Sequence, residues 1–106
     1  MMPLDLTHQN LTTPERLVRI ASALGDELRL RVIRELAEEP ATISDLADRL
    51  GVPRTSLQYH VRLLGDAGLI VLAVDDARWG RLMIRTEAIA ELGALAEDWV
   101  KVPART

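Results

Sequence analysis

Leucine, isoleucine, valine and alanine recur along this chain at spacings of three and four, the signature of amphipathic helices. Leu17, Ile20, Ala21 and Leu24 fall at i, i+3, i+4 and i+7. Ahead of them Thr13-Pro14-Glu15 reads as a helix start, with a Thr cap, Pro in the first turn and an early acid, and Gly25 reads as the stop. A second helix is predicted from Asp26 to Glu38. Leu28, Val32, Ile33 and Leu36 face inward there, Arg29, Arg31 and Arg34 lie elsewhere around it, and Pro40 ends it. Thr42 and Asp45 open a short third helix in the manner of a capping box, with Ile43, Leu46, Ala47 and Leu50 as its apolar stripe. After Gly51-Val52-Pro53 a fourth helix spans residues 54–67, closed by Gly68.

The pattern then changes. Leu69–Val74 and Arg81–Thr86 read as strands joined by the polar turn Asp75-Asp76-Ala77-Arg78. In the second strand Leu82, Met83 and Ile84 run together, which suggests cover on both faces. From Glu87 a last helix carries Ile89, Leu92, Leu95, Ala96 and Trp99 before Val102-Pro103 ends it. Residues 1–12 have weak periodicity and read as an N-terminal arm, which leaves residues 13–102 as one domain.

The segment from Ile43 to Leu64 carries the functional information. A helix-turn-helix needs a small residue where its helices touch, and Ala47 supplies it; four residues later the chain turns sharply with positive φ, and Gly51 supplies that. Leu46, Leu50, Val52, Leu57, Val61 and Leu64 pack the pair together. The expected fold is therefore mostly α with a small β-hairpin wing, a winged helix-turn-helix with additional N- and C-terminal helices. With Leu57, Val61 and Leu64 inward, residues 55, 58, 59 and 62 point outward. Gln58 can read adenine, arginine can read guanine, and Thr55 or Tyr59 can hold phosphate or a thymine methyl. A solvated polar face is the competing reading of the same residues.

Two stretches resemble the ArsR-like (arsenic repressor) winged-helix regulators. Residues 23–36, Ala23-Leu24-Gly25-Asp26-Glu27-Leu28-Arg29-Leu30 and onward to Leu36, look like the entry into that family's second helix. Ser56-Leu57-Gln58-Tyr59-His60-Val61-Arg62-Leu63-Leu64, followed by Asp66-Ala67-Gly68-Leu69-Ile70, resembles its recognition helix and the exit into the wing. The resemblance spans residues 14 to 99. It implies a homodimer built on the first and last helices, acting as a repressor of a promoter until a small-molecule or protein effector binds. It places Arg54, Thr55, Ser56, Gln58, Tyr59 and Arg62 on double-stranded DNA, with the recognition helix in the major groove and Arg78 and Arg81 of the wing near the flanking backbone. It places Leu17, Ile20, Leu24, Leu92, Leu95 and Trp99 in the dimer interface. Intramolecular core competes for these last residues, and the sequence does not separate the two readings.

Charge qualifies this picture. The net charge is −3, which looks wrong for a DNA binder. Yet residues 54–85 hold five arginines (Arg54, Arg62, Arg78, Arg81, Arg85) against three aspartates (Asp66, Asp75, Asp76), so basicity is concentrated in one third of the chain. The local field governs contact with a phosphate backbone more than the total does. The acidic total and the wing aspartates favour the alternative of a winged-helix protein-protein interaction module without specific DNA binding.

Other chemistry is poorly supported. Zero cysteines rule out disulfides, thiolate metal sites and a Cys nucleophile within this sequence. The family's metal ligands are replaced by Thr42-Ile43-Ser44-Asp45-Leu46 in the third helix, and no His lies between residues 86 and 106, so neither metal nor cofactor is expected. Glu91, Glu97 and Asp98 read as a solvated acidic face rather than a cation site. His60 has no His or Cys partner nearby in sequence, His8 lies in the arm, and a structural role beside the turn is expected for His60. No phosphate-binding glycine loop, paired-His site or plausible nucleophile is present, which argues against an enzyme. No apolar run approaches the ~20 residues needed to span a bilayer, and no secretion signal is visible, so a cytoplasmic protein is expected.

Overall fold

The computed structural model describes residues 13–74 and 80–100; the expected arm, the wing turn with Arg78, and the Pro103 stop lie outside the described residues. Helix α1 runs Thr13–Leu24, α2 Glu27–Glu38, α3 Ile43–Leu50 and α4 Arg54–Asp66. Strands β1 (Ile70–Val74) and β2 (Gly80–Ile84) precede α5 (Thr86–Val100). This is the expected winged helix-turn-helix with an added helix at each end.

Each boundary has a local cause. The second helix begins one residue later than its pattern suggests because Asp26 is the cap: its carboxylate accepts from the Arg29 backbone N–H at 3.2 Å. Thr42 caps α3 as expected, accepting from the Asp45 backbone N–H at 3.1 Å. At the other end Gly51 sits at φ 68°, ψ 36°, and the Val52 N–H returns to the Ala47 carbonyl at 3.1 Å. That left-handed residue turns the chain from α3 into α4. Gly68, at φ 78°, turns α4 into the wing, with the Leu69 N–H donating to the Leu64 carbonyl at 3.0 Å. Gly25 is no such cap, because only Gly51 and Gly68 have positive φ among the described residues. Instead the Arg29 side chain takes the last carbonyls of α1, with Nε donating to Ala23 at 2.5 Å.

The strands pair antiparallel with Ile70 opposite Ile84 and Val74 opposite Gly80. The α2–α3 loop joins their sheet: Ala41 bridges Leu82, the Leu82 N–H reaching the Ala41 carbonyl at 2.7 Å and the Ala41 N–H returning at 3.2 Å. The second strand stops at Ile84 rather than Thr86. The Arg85 N–H closes onto the Leu69 carbonyl at 2.9 Å, and Thr86 opens α5. Nor is β2 covered on both faces: Leu82 is buried, whereas Met83 is exposed on the opposite side.

The core is aliphatic. Leu46, Ala47, Leu57 and Leu64 from the helix-turn-helix meet Ile20 and Ala23 of α1, Val32 and Leu36 of α2, and Leu69, Ile70 and Leu82 of the wing. The buried stripe of α1 is Ile20 with Ala23, and Ala21 is exposed, so that helix is rotated slightly from its expected facing. Helix α5 packs along α1, and Arg16 of α1 forms an ion pair with Glu91 of α5.

Two outcomes follow from the turns and caps. Gly51→Val should lower unfolding stability by about 2 kcal/mol, since a β-branched side chain is poorly accommodated at positive φ. Chemical denaturation checks this, and an unchanged midpoint would contradict the role of the turn. The Asp26 carboxyl is held below its ordinary 3.8, chiefly by the Arg29 backbone N–H and, against some desolvation, by the charges of His60 and Arg29. A depressed carboxylate contributes stability that is present above its unfolded value and lost as pH falls through the folded one. Asp26→Ala should therefore melt at lower temperature than the native chain at neutral pH, with the gap narrowing as pH drops below 3.8. A gap of constant size across that range would remove the carboxylate from the explanation.

Candidate nucleic-acid interface

The helix-turn-helix turns one face of α4 into the core and leaves the other in solvent. Leu57 and Leu64 are fully buried and Val61 is half-buried against the same cluster. Arg54, Thr55, Gln58, Tyr59 and Arg62 are exposed on the other side, with Tyr59 53% accessible. Ser56 is half-buried and stands apart from this outward row. Arg81 is exposed on β2, one residue before the buried Leu82.

The described arginines differ in their partners, and the side chains of Arg19 of α1 and Arg34 of α2 carry no ion pair or hydrogen bond to a described residue. Arg16, Arg31, Arg49 and Arg85 pair with Glu91, Glu27, Glu35 and Glu39, and Glu87 respectively. Arg85, one of the five arginines in residues 54–85, is also tied down: its guanidinium donates to the Gly68 carbonyl at 3.0 Å. The side chains of Arg54, Arg62 and Arg81 have no ion pair or hydrogen bond to any described residue. Three uncommitted cations therefore lie on α4 and the adjoining strand, where a polyanion would find them unneutralised.

A cavity of about 440 Å³ lies where α3, α4 and β2 converge, lined by Thr42, Ile43, Ser44, Asp45, Arg54 and Gly80. It brings the N-terminal ends of α3 and α4 together. Helix N-termini present free backbone N–H groups and partial positive charge, which favours phosphate over cationic partners. Asp45 opposes that preference locally, and Arg54 restores it.

His60 is a contact residue of the fold. Its Nδ1 lies 3.1 Å from the Arg29 guanidinium and 3.8 Å from the Asp26 carboxylate, and its ring meets Tyr59 edge-on at 5.2 Å between centroids. The role of Arg29 was not legible in its helical position, which set it with Arg31 and Arg34 on the polar side of α2. No group of three or more His, Asp or Glu side chains able to hold a metal ion exists among the described residues.

The expected interface residues occupy three environments. Ile20 is 2% exposed and belongs to the chain's own core. Leu24, Leu92 and Leu95 are half-buried and lean on that core, and Leu17 is half-buried beside it. Trp99 is 58% exposed near the end of α5, with Val100 beside it and Val18 of α1 also open at 62%.

Comparison with known proteins identifies this architecture. A family model described as a helix-turn-helix domain matches residues 24–73, from the end of α1 to β1. No curated protein matches the sequence. The crystal structure of an ArsR family transcriptional regulator is similar at 33% identity, over 88% of this chain and 96% of that one, with a TM-score of 0.71. An ArsR-like transcriptional regulator from Rhodococcus sp. RHA1 is similar at 27% identity, over 84% and 83% of the two chains, with a TM-score of 0.77. A homodimeric winged helix-turn-helix DNA-binding domain from Mycobacterium bovis shares the fold at 19% identity, over 98% of this chain and 97% of that one, with a TM-score of 0.68. Identity of 33% across nearly the whole of a relative's length is more than a shared fold, and the chain belongs to the ArsR family of transcriptional regulators.

Proposed function

We propose that this regulator binds double-stranded DNA sequence-specifically as a homodimer, with α4 in the major groove, and represses transcription. The observation that carries the reading is the outward row Arg54, Thr55, Gln58, Tyr59 and Arg62, whose two arginines have no partner in the described chain. A helix exposing such a row, with its apolar face fully committed to the core, matches what the major groove admits. Arg81, and Arg78 outside the described residues, extend the contact to the flanking backbone. Ser56 is assigned a contact through its place in the first turn of α4, where phosphate is the fitting partner. Residues 13–102 form the working domain and residues 1–12 an arm. The signal is a small organic molecule, a protein or none, and no metal, cofactor or catalytic step is assigned to the mechanism. The site of action is the cytoplasm.

Dimerisation is assigned to α1 and α5. These helices pack on one another and leave Trp99, Val100 and Val18 exposed, with Leu17, Leu92 and Leu95 beneath. Ile20 and Leu24 support this surface from the core side. The Mycobacterium bovis domain that shares this fold is homodimeric, which supports dimerisation as such. The competing reading, protein docking, is favoured by the apolar wing residues Val71, Leu72 and Met83, all exposed.

A mobility shift with the duplex upstream of the protein's own gene, competed by scrambled duplex, tests the function. Arg62→Ala and Arg54→Ala should each weaken binding by about 1–3 kcal/mol if they read bases. A residue touching phosphate alone should instead lower the salt slope by about one. Weak binding with no preference for the duplex over its scrambled competitor, together with function retained after reversing both charges, would favour the protein-docking reading. For the interface, Trp99→Glu should shift the chain from dimer to monomer in sedimentation while keeping its helicity. An undiminished dimer would move the interface away from α5.

A further inference from the structure

The contacts made by Arg29 join three elements, and one of them reaches the outward row of α4. Its Nε donates to the Ala23 carbonyl at 2.5 Å and one terminal nitrogen donates to the Ser22 carbonyl at 3.4 Å, both at the end of α1. The other terminal nitrogen lies 3.1 Å from Nδ1 of His60 on α4. A guanidinium only donates, so Nδ1 must accept, and the ring must be neutral with its proton on Nε2. Asp26 stands 3.8 Å from the same nitrogen, beyond hydrogen-bond reach. The charged groups facing the ring are thus Asp26 and Arg29, at the start of α2; on α4 its neighbour is Tyr59, and no charged group of α1 or α3 contacts it among the described residues.

Protonation reverses these preferences. An imidazolium carries a donor on each nitrogen, so it cannot accept from Arg29 and is repelled by it. Asp26, 3.8 Å from the same nitrogen, becomes the preferred partner in place of Arg29. The link from the end of α1 to α4 then opens. The edge contact that orients Tyr59, itself in the outward row, changes with it.

We propose that the Arg29–His60 contact is a proton-sensitive brace between the end of α1 and α4 that sets the placement of Tyr59 in the outward row, so that protonating His60 weakens DNA binding. The inference rests on reading α4 as the DNA-contacting helix. Arg29 acts here as a positioning residue with no contact to DNA of its own. The expected sign is diagnostic, because acidification also makes the chain more cationic, which by itself tightens binding to phosphate.

The experiment measures fluorescence anisotropy of the labelled upstream duplex at fixed ionic strength, from about pH 8 to about pH 5.5, the interval in which histidines change charge. The native chain should lose about tenfold in affinity, the worth of one charge-assisted hydrogen bond. His60→Asn, whose side-chain oxygen can accept from Arg29 without titrating, should bind as the native chain does at high pH and hold or tighten as pH falls. Nitrogen-15 NMR of the native protein, which needs neither DNA nor a variant, should show the neutral ring protonated on Nε2. A flat native profile, an equal decline in His60→Asn, or a proton on Nδ1 at high pH overturns the brace while leaving the DNA reading intact. Absence of binding at every pH overturns both.

Discussion

The direction in which α4 presents its polar face depends on how its apolar face is seated. Leu57 and Leu64 are fully buried against Leu46 and Ala47 of α3, and each such leucine stabilises the arrangement by about 1.5–3 kcal/mol. The two lie seven positions apart, two turns of helix, so they fix the rotation of α4 about its own axis as well as its depth. A rotation by one residue would place Gln58 in the core and a leucine in solvent. The cost of a buried unpaired amide makes that alternative inaccessible. Ala47 allows the helices this close, and the left-handed Gly51 brings the chain round in few enough residues for both leucines to reach it.

Much of this was legible beforehand because it rests on local chemistry. Thr42, Gly51 and Gly68 mark boundaries through backbone geometry that few residues can satisfy, and the structure uses each of them in that way. The inward and outward faces of α4 follow from helical period alone. Thr55, Gln58, Tyr59 and Arg62 emerge together on that basis; of the two named only from resemblance, Arg54 is exposed and Ser56 half-buried.

What was not legible depends on long-range partners. Thr86 has good strand propensity and follows an apolar run, yet it starts α5 because Arg85 is drawn back onto Leu69. The facing of α1 is set by packing against α2, α4 and α5 together, so Ala23 rather than Ala21 enters the core. Arg29 looked like any arginine on a polar helix face. Its connection to His60 spans 31 positions, and no local pattern encodes it. The division of arginines into paired and unpaired has the same origin, since Arg16 and Arg49 find their carboxylates on other elements.

The bridge between Ala41 and Leu82 bears on how the molecule meets an extended partner. A free two-stranded hairpin would bend and swing, adjusting its distance from α4 to suit the surface offered. Here a pair of backbone hydrogen bonds anchors β2 to the loop that leads into α3, immediately beside Arg81. Helix and strand base thus behave as two jaws of a gauge set to one opening. A partner whose groove or backbone spacing differs must deform to fit, and that deformation is charged to the partner rather than shared. Under the proposed DNA reading, discrimination by shape would then arise at positions the side chains never touch.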